Sequence, residues 1–173
     1  MKSFIAILIS FLFASFISAS DNTEGKSYIP LEQPLPLIGD INREAVAWAT
    51  CAAAYRIKSK IVESSAEPNE YKNTANGAEL AVFMTFLKPL VLEDSPDPLQ
   101  FRTRMEYAKT LMKSMPNAQL AEIMADYEKQ EINDWVANLK ATLSHCSDNL
   151  EYQQAYIETY RNIMMRGLMK YRE

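Results

Sequence analysis

The single histidine of the chain, His145, sets the first limit on the chemistry that its residues can perform. A di-iron bundle needs two Glu-x-x-His motifs and a zinc protease needs His-Glu-x-x-His, so both classes are excluded. Cys146, Asp148 and Glu151 follow His145, but a disulfide-bonded cysteine would leave too few ligands for a metal. We therefore interpret His145 as a polar residue at a helix C-terminus, where the helix dipole favours a cation, and expect neither a metal nor a cofactor.

The two cysteines, Cys51 and Cys146, are the next candidates for chemistry. Neither belongs to a Cys-x-x-Cys or Cys-x-x-Cys-His motif, which argues against thioredoxin-like redox chemistry and covalent haem. In an exported protein, a pair of cysteines with no third is most simply a disulfide, and this one would close a loop of about 95 residues. A disulfide leaves no thiolate to act as a nucleophile, so we do not expect a catalytic Cys–His pair.

Carboxylates and methionines offer two further kinds of site. Two carboxylates could serve a glycosidase, but no spacing fixes a pair, and we interpret the acidic residues as a solvated surface. Methionine thioethers could bind Cu(I) outside the cytosol, although flexible core filling is the simpler interpretation. The sequence thus predicts no catalytic residues, and an enzyme of unrecognised type is the least favoured class.

Residues with the composition of a protein-binding surface occur near the C-terminus. Tyrosines recur there every four residues, which places them on one stripe of a helix, and arginines and methionines flank them. Tyrosine and arginine dominate interface hot spots, whereas methionine adapts to irregular partners. The alternative interpretation is a bundle helix with its tyrosines packed inward. The candidate partner-binding residues are Tyr152, Tyr156, Tyr160, Arg161, Met164 and Arg166.

The first twenty residues predict the compartment in which these residues work. Lys2, the apolar run 4–17 and the small residues 18–20 have the pattern of a secretory signal peptide, cleaved after Ser20. The apolar run is shorter than the roughly 20 residues that span a bilayer. We therefore expect a periplasmic or secreted protein with no membrane span after cleavage. With 18 basic and 22 acidic residues in the chain, we expect no nucleic-acid partner.

The elements that must position these residues follow from proline placement and apolar periodicity. Residues 21–39 are apolar but contain Pro30, Pro34 and Pro36, which predicts a non-helical strap across the protein or a linker that docks on a partner. Residues 40–173 form the predicted helical domain. We predict helices over about residues 40–64, 70–88, 98–115 and 117–143, with Asn117 as a cap and a fifth helix opened by Asp148-x-x-Glu151.

Short connections between long amphipathic helices favour antiparallel neighbours. The predicted fold is therefore an all-α, up-down bundle of four to five helices with one disulfide. Three functions agree with it. The first is an exported accessory protein that binds a protein partner, the second is a carrier that holds an apolar ligand between its helices, and the third is the enzyme of unrecognised type.

Overall fold

Five α-helices make up most of the part of the chain that the structure describes. The computed structural model describes residues 25–30, 33–62, 68–91 and 97–170, together with their side chains except those of Pro68 and residues 166–170. The predicted signal peptide lies outside these residues. The described part is helical without strands, which confirms the predicted all-α bundle. The helices are α1 (Ile41–Ile61), α2 (Pro68–Val91), α3 (Pro98–Tyr127), α4 (Ile132–Asp148) and α5 (Leu150–Lys170).

Helix α1 is the central element of the bundle. It begins after Asp40, whose carboxylate accepts hydrogen bonds from the backbone N–H groups of Asn42 and Arg43, each at 2.9 Å. Its apolar residues lie on more than one face, as expected for a helix with neighbours on several sides. Buried alanines, among them Ala49 and Ala52, let α2 pack closely against it. Helices α3 and α4 also contact α1, so most of its surface is buried.

The helix break predicted between residues 115 and 117 is wrong, and the second helix extends beyond its predicted end near residue 88. Helix α2 continues through Pro89 to Val91, and α3 continues through Pro116 to Tyr127. A proline removes one backbone hydrogen bond, and burial of the helix on both sides of it can outweigh that loss. Around Pro116, which is itself buried, residues before and after the ring pack on the core. Asn117 is therefore not a helix cap, and its amide donates to the carbonyl of Lys113 at 3.0 Å.

The chain turns instead at residues 128–131, in the middle of the predicted helix 117–143. The backbone N–H of Gln130 donates to the carbonyl of Asp126 at 3.0 Å, which closes the end of α3. Trp135 in the first turn of α4 then folds back over the corner. Its indole N–H donates to the carbonyl of Ile123 at 3.0 Å, and its ring meets Tyr127 edge to face at 5.0 Å. This tryptophan holds α3 and α4 together across the turn.

The predicted disulfide is present. It joins Cys51 in the middle of α1 to Cys146 in the last turn of α4, with the Cα atoms 5.6 Å apart. Asp148 is the final residue of α4 rather than the cap of the next helix. Asn149 makes the corner, since its backbone N–H donates to the carbonyl of Cys146 at 3.1 Å and α5 begins one residue later.

The described part of the N-terminal segment runs along α4 and then reaches α1. Side-chain oxygens on or just after α4 accept its backbone N–H groups, from Lys26 to Asn138 (2.6 Å), Tyr28 to Thr142 (2.9 Å) and Leu35 to Asn149 (3.0 Å). The buried side chains of this segment are Ile29, Leu35 and Ile38. Residues Leu35–Leu37 form a short 3-10 turn where the sequence predicted no helix. Gly39, at φ 76°, takes the left-handed conformation that leads the chain into α1.

Candidate binding site at the disulfide end of the bundle

A cleft of about 630 Å³ opens beside the disulfide. One wall comes from the end of α1 and the start of α2, and the other from the end of α4 and the start of α5. The disulfide fixes the distance between the walls, because Cys51 lies one turn before Tyr55 and Cys146 directly precedes Ser147. The residues that line this disulfide cleft are Tyr55, Lys58, Glu70, Tyr71, Thr74, Lys140, Leu143, Ser144, Ser147, Asp148 and Leu150.

Two stacked tyrosines form the inner part of the cleft. The rings of Tyr55 and Tyr71 lie nearly parallel with centroids 6.5 Å apart, and the Lys58 ammonium lies 4.3 Å from the centroid of Tyr71. Burial, followed by the nearby Tyr71 and Asp148, raises the pKa of the Tyr55 hydroxyl to about 12. At neutral pH the Tyr55 hydroxyl therefore remains protonated and can donate a hydrogen bond inside the cleft.

Among the described lining residues, each wall of the cleft carries one lysine and one acidic residue. The α1–α2 wall carries Lys58 and Glu70, and the α4 wall carries Lys140 and Asp148. Across the described ranges of the chain, no group of three or more histidine, cysteine, aspartate or glutamate side chains could hold a metal.

Two further clefts have different chemistry. One, of about 540 Å³, lies between the end of α2 and the start of α3, and its lining includes the exposed side chains of Leu99 and Tyr107. The other, of about 500 Å³, lies where the N-terminal segment meets the start of α4 around Lys26 and Asp134. The first is largely apolar and the second contains no aromatic side chain. The disulfide cleft combines aromatic rings, hydroxyl groups and both signs of charge.

The structure divides the predicted tyrosine stripe of α5 between the core and the surface. Tyr156 packs edge to face on Trp48 with centroids 6.0 Å apart, and Tyr160 packs the same way on Phe83 at 5.7 Å. Tyr152, by contrast, is 39% exposed. Tyr156 and Tyr160 thus face the bundle, whereas Tyr152 faces solvent. The candidate residues therefore do not form one continuous surface.

The other predicted residues of this set lie toward the end of α5. Arg161 is exposed and Met164 is 37% exposed, while the side chain of Arg166 lies outside the described part of the structure. Met165, which the sequence analysis did not include, is 63% exposed. His145 lies in the last turn of α4, and its Nε2 is buried without a hydrogen-bond partner among the described residues.

A buried carboxylate explains why Tyr156 faces inward. Glu44, 4% exposed in the first turn of α1, accepts hydrogen bonds from the hydroxyl of Tyr156 and from Thr85 Oγ1 at 3.3 Å. Lys88 approaches its second oxygen at 3.9 Å. Burial, followed by the hydrogen bond to Glu44, raises the pKa of the Tyr156 hydroxyl well above its ordinary value. Glu44 precedes Trp48 by four residues, and this spacing in the sequence already places it on a buried face.

We expect the stability of the protein to fall as the pH rises above about 10. In the unfolded chain the tyrosines titrate near that pH, whereas folded Tyr55 keeps its proton to about pH 12 and Tyr156 keeps its proton above its ordinary value too. The unfolded state then binds fewer protons, so unfolding becomes easier. Urea denaturation between about pH 9 and pH 11 measures this slope. The Tyr55→Phe, Tyr156→Phe double variant should show a shallower slope, and a slope equal to that of the wild type would contradict the assignment.

No protein-family model, curated protein or solved structure matches the chain. Within the described ranges, no helix combines the length and the apolar character needed to cross a membrane. The fold and the cleft define a small disulfide-linked helical bundle with an open polar cleft.

Proposed function

We propose that the protein is an exported accessory protein that binds a protein partner through the outer surface of α5. The observation that carries this proposal is the concentration of exposed apolar side chains on that helix. Of the eight large hydrophobic residues that are exposed in the described part of the chain, four lie on α5. They are Leu150, Tyr152, Met164 and Met165.

The position of α5 in the bundle leaves this surface available. Helix α5 packs mainly along α2, with few contacts to α4, so its outer side faces solvent. Arg161 and Met165 are one turn apart there and can contact the same partner surface. Tyrosine, arginine and methionine are enriched in interfaces, which supports recognition of a protein. The inward contacts of Tyr156 and Tyr160 fix the helix on the bundle, and Arg161 and Met165 are the exposed pair that would contact the partner.

Two further features support an exported location. The first twenty residues have the pattern of a signal peptide, and a structural disulfide is typical of oxidising compartments. On this proposal the protein is periplasmic or secreted and acts after cleavage at Ser20. Its mildly acidic composition favours a protein partner over nucleic acid.

Affinity capture from the exported fraction of the source cells tests this proposal. The Arg161→Ala, Met165→Ala double variant should recover at least about tenfold less partner than the wild type, as for hot-spot residues. Leu99→Ala is the matched control, because Leu99 is 70% exposed but lies on α3. It should recover the partner in full. Equal recovery by all variants, or a bare monomer in native mass spectrometry of the eluate, would contradict the proposal.

A further inference from the structure

We propose that the partner of the α5 surface is a second copy of this chain, and that the two α5 helices pair antiparallel across a twofold axis. This inference rests on the proposed function, since it names the partner of the surface assigned there. Four exposed residues carry it, and we call them the pairing face: Gln154, Glu158, Arg161 and Met165. The side chains of all four lie in the described part of the chain.

The spacing of the pairing face has the symmetry that such a dimer requires. Its members are separated by four, three and four residues, so they form one stripe along about three turns of the helix. The spacing is the same when it is read from either end. In an interface between identical copies related by a twofold axis, each contact of residue i with residue j is repeated as a contact of j with i. An axis midway between Glu158 and Arg161 therefore places Glu158 opposite Arg161 of the second copy, and Gln154 opposite Met165.

Charge complementarity selects the antiparallel direction. Across the twofold axis, Glu158 and Arg161 form two pairs of opposite charge. A parallel pair in register would instead bring two carboxylates together and two guanidinium groups together, which is unfavourable. Among the described residues Arg161 has no ion-pair partner, and Glu158 accepts a hydrogen bond from the side-chain amide of Gln154 at 3.3 Å. Both charges thus remain exposed on the single copy and can pair with a second one.

Met165 supplies the apolar part of the interface. Its side chain is 63% exposed on the single copy. In the dimer it packs against the methylene groups of Gln154 of the second copy, and this contact occurs once at each end of the pairing face. Exposed ion pairs contribute little affinity by themselves. We therefore expect the methionine contacts to supply most of the affinity and the charges to determine the direction of pairing.

The bundle leaves the pairing face accessible. Helix α5 contacts its own bundle through other residues, since Tyr156 and Tyr160 pack on core aromatic rings and Gln153 donates to the carbonyl of Thr74 at 3.2 Å. Pairing therefore does not require α5 to leave the bundle. An interface of one helix from each copy is small for a protein–protein interface, so we expect a weak dimer with a dissociation constant of about 100 µM.

Reversal of the two charges tests the pairing. Glu158→Arg and Arg161→Glu each place like charges at both ion pairs, and each should raise the dissociation constant at least about tenfold in sedimentation equilibrium of the purified, disulfide-bonded protein. An equimolar mixture of these two variants should form a heterodimer about as strong as the wild-type dimer, because every like-charge pair then becomes an opposite-charge pair. Native mass spectrometry identifies the heterodimer by its mass. Recovery in the mixture also excludes unfolding as the cause of the losses, since both variants are still present.

The control and the contrary outcomes separate this inference from the proposed function. Arg102→Glu reverses an exposed arginine on α3 and should dimerise like the wild type. A wild type that stays monomeric at about 1 mM, single variants that dimerise like the wild type, or a mixture that does not dimerise would each overturn the inference. If the wild type stays monomeric and affinity capture recovers a different protein that Arg161→Ala, Met165→Ala loses, the proposed function stands and this inference fails. If the wild type dimerises and neither charge reversal weakens the dimer, the second copy binds elsewhere.

Discussion

Removal of the disulfide is expected to lower the free energy of unfolding by about 4–5 kcal/mol, because the cross-link restricts the unfolded chain over a long loop. The two cysteines are 95 positions apart in the sequence, and both are buried. The Cys51→Ala, Cys146→Ala double variant leaves no thiol to be desolvated or oxidised. Its urea denaturation curve, compared with that of the oxidised wild type, measures the loss. Since marginal domains have total stabilities of only about 5–15 kcal/mol, this variant should melt far earlier or be unfolded.

Reductant distinguishes the covalent link from the loss of the two side chains. Reduction of the wild type should produce a loss similar to that of the double variant, whereas the double variant itself should not respond to reductant. A wild-type melting temperature that is equal with and without reductant would contradict the assignment.

Apolar periodicity predicted the helices, but local rules placed two of the turns wrongly. The start of α1 at Asp40 was predictable, because an acidic cap followed by buried positions is a local pattern. The continuation of α3 through Pro116 could not be predicted in this way. There the loss of one backbone hydrogen bond is offset by burial against residues that are distant in the sequence. The turn at residues 128–131 contains neither proline nor glycine. It is fixed by contacts that Trp135 makes with the preceding helix.

The same distinction between local and distant contacts applies to the candidate binding residues. The spacing of the tyrosines showed that they share a stripe of a helix, but it could not show which part of that stripe is buried. Tyr156 faces inward because Glu44, 112 positions earlier in the sequence, accepts its hydroxyl hydrogen bond. Tyr152, one turn before it, has no such partner in the described part of the chain and stays exposed. The disulfide cleft was not predicted at all, because Tyr55, Tyr71 and Ser144 meet only in the folded chain.

Replacement of Trp135 by alanine is expected to cost about 3–5 kcal/mol of stability, the usual range for truncation of a buried aromatic residue. The side chain is almost fully buried, packs on Tyr127 at 5.0 Å and donates to the carbonyl of Ile123 at 3.0 Å. Its loss would leave a cavity at the corner between α3 and α4, and an unpaired carbonyl. Urea denaturation of Trp135→Ala measures the total cost of these losses.

Trp135→Phe separates packing from the hydrogen bond, since it keeps an aromatic ring against Tyr127 but removes the indole N–H. Loss of the donor leaves the carbonyl of Ile123 without this partner, and the cost should be about 1–3 kcal/mol, smaller than that of alanine. If both variants unfold at the wild-type urea concentration, the tryptophan does not hold the corner. A cost confined to alanine would assign the corner to ring packing alone, whereas equal costs would assign it to the hydrogen bond. A measurable cost for phenylalanine that is smaller than the cost for alanine would show that ring packing and the indole hydrogen bond both stabilise the corner, which contains no proline or glycine.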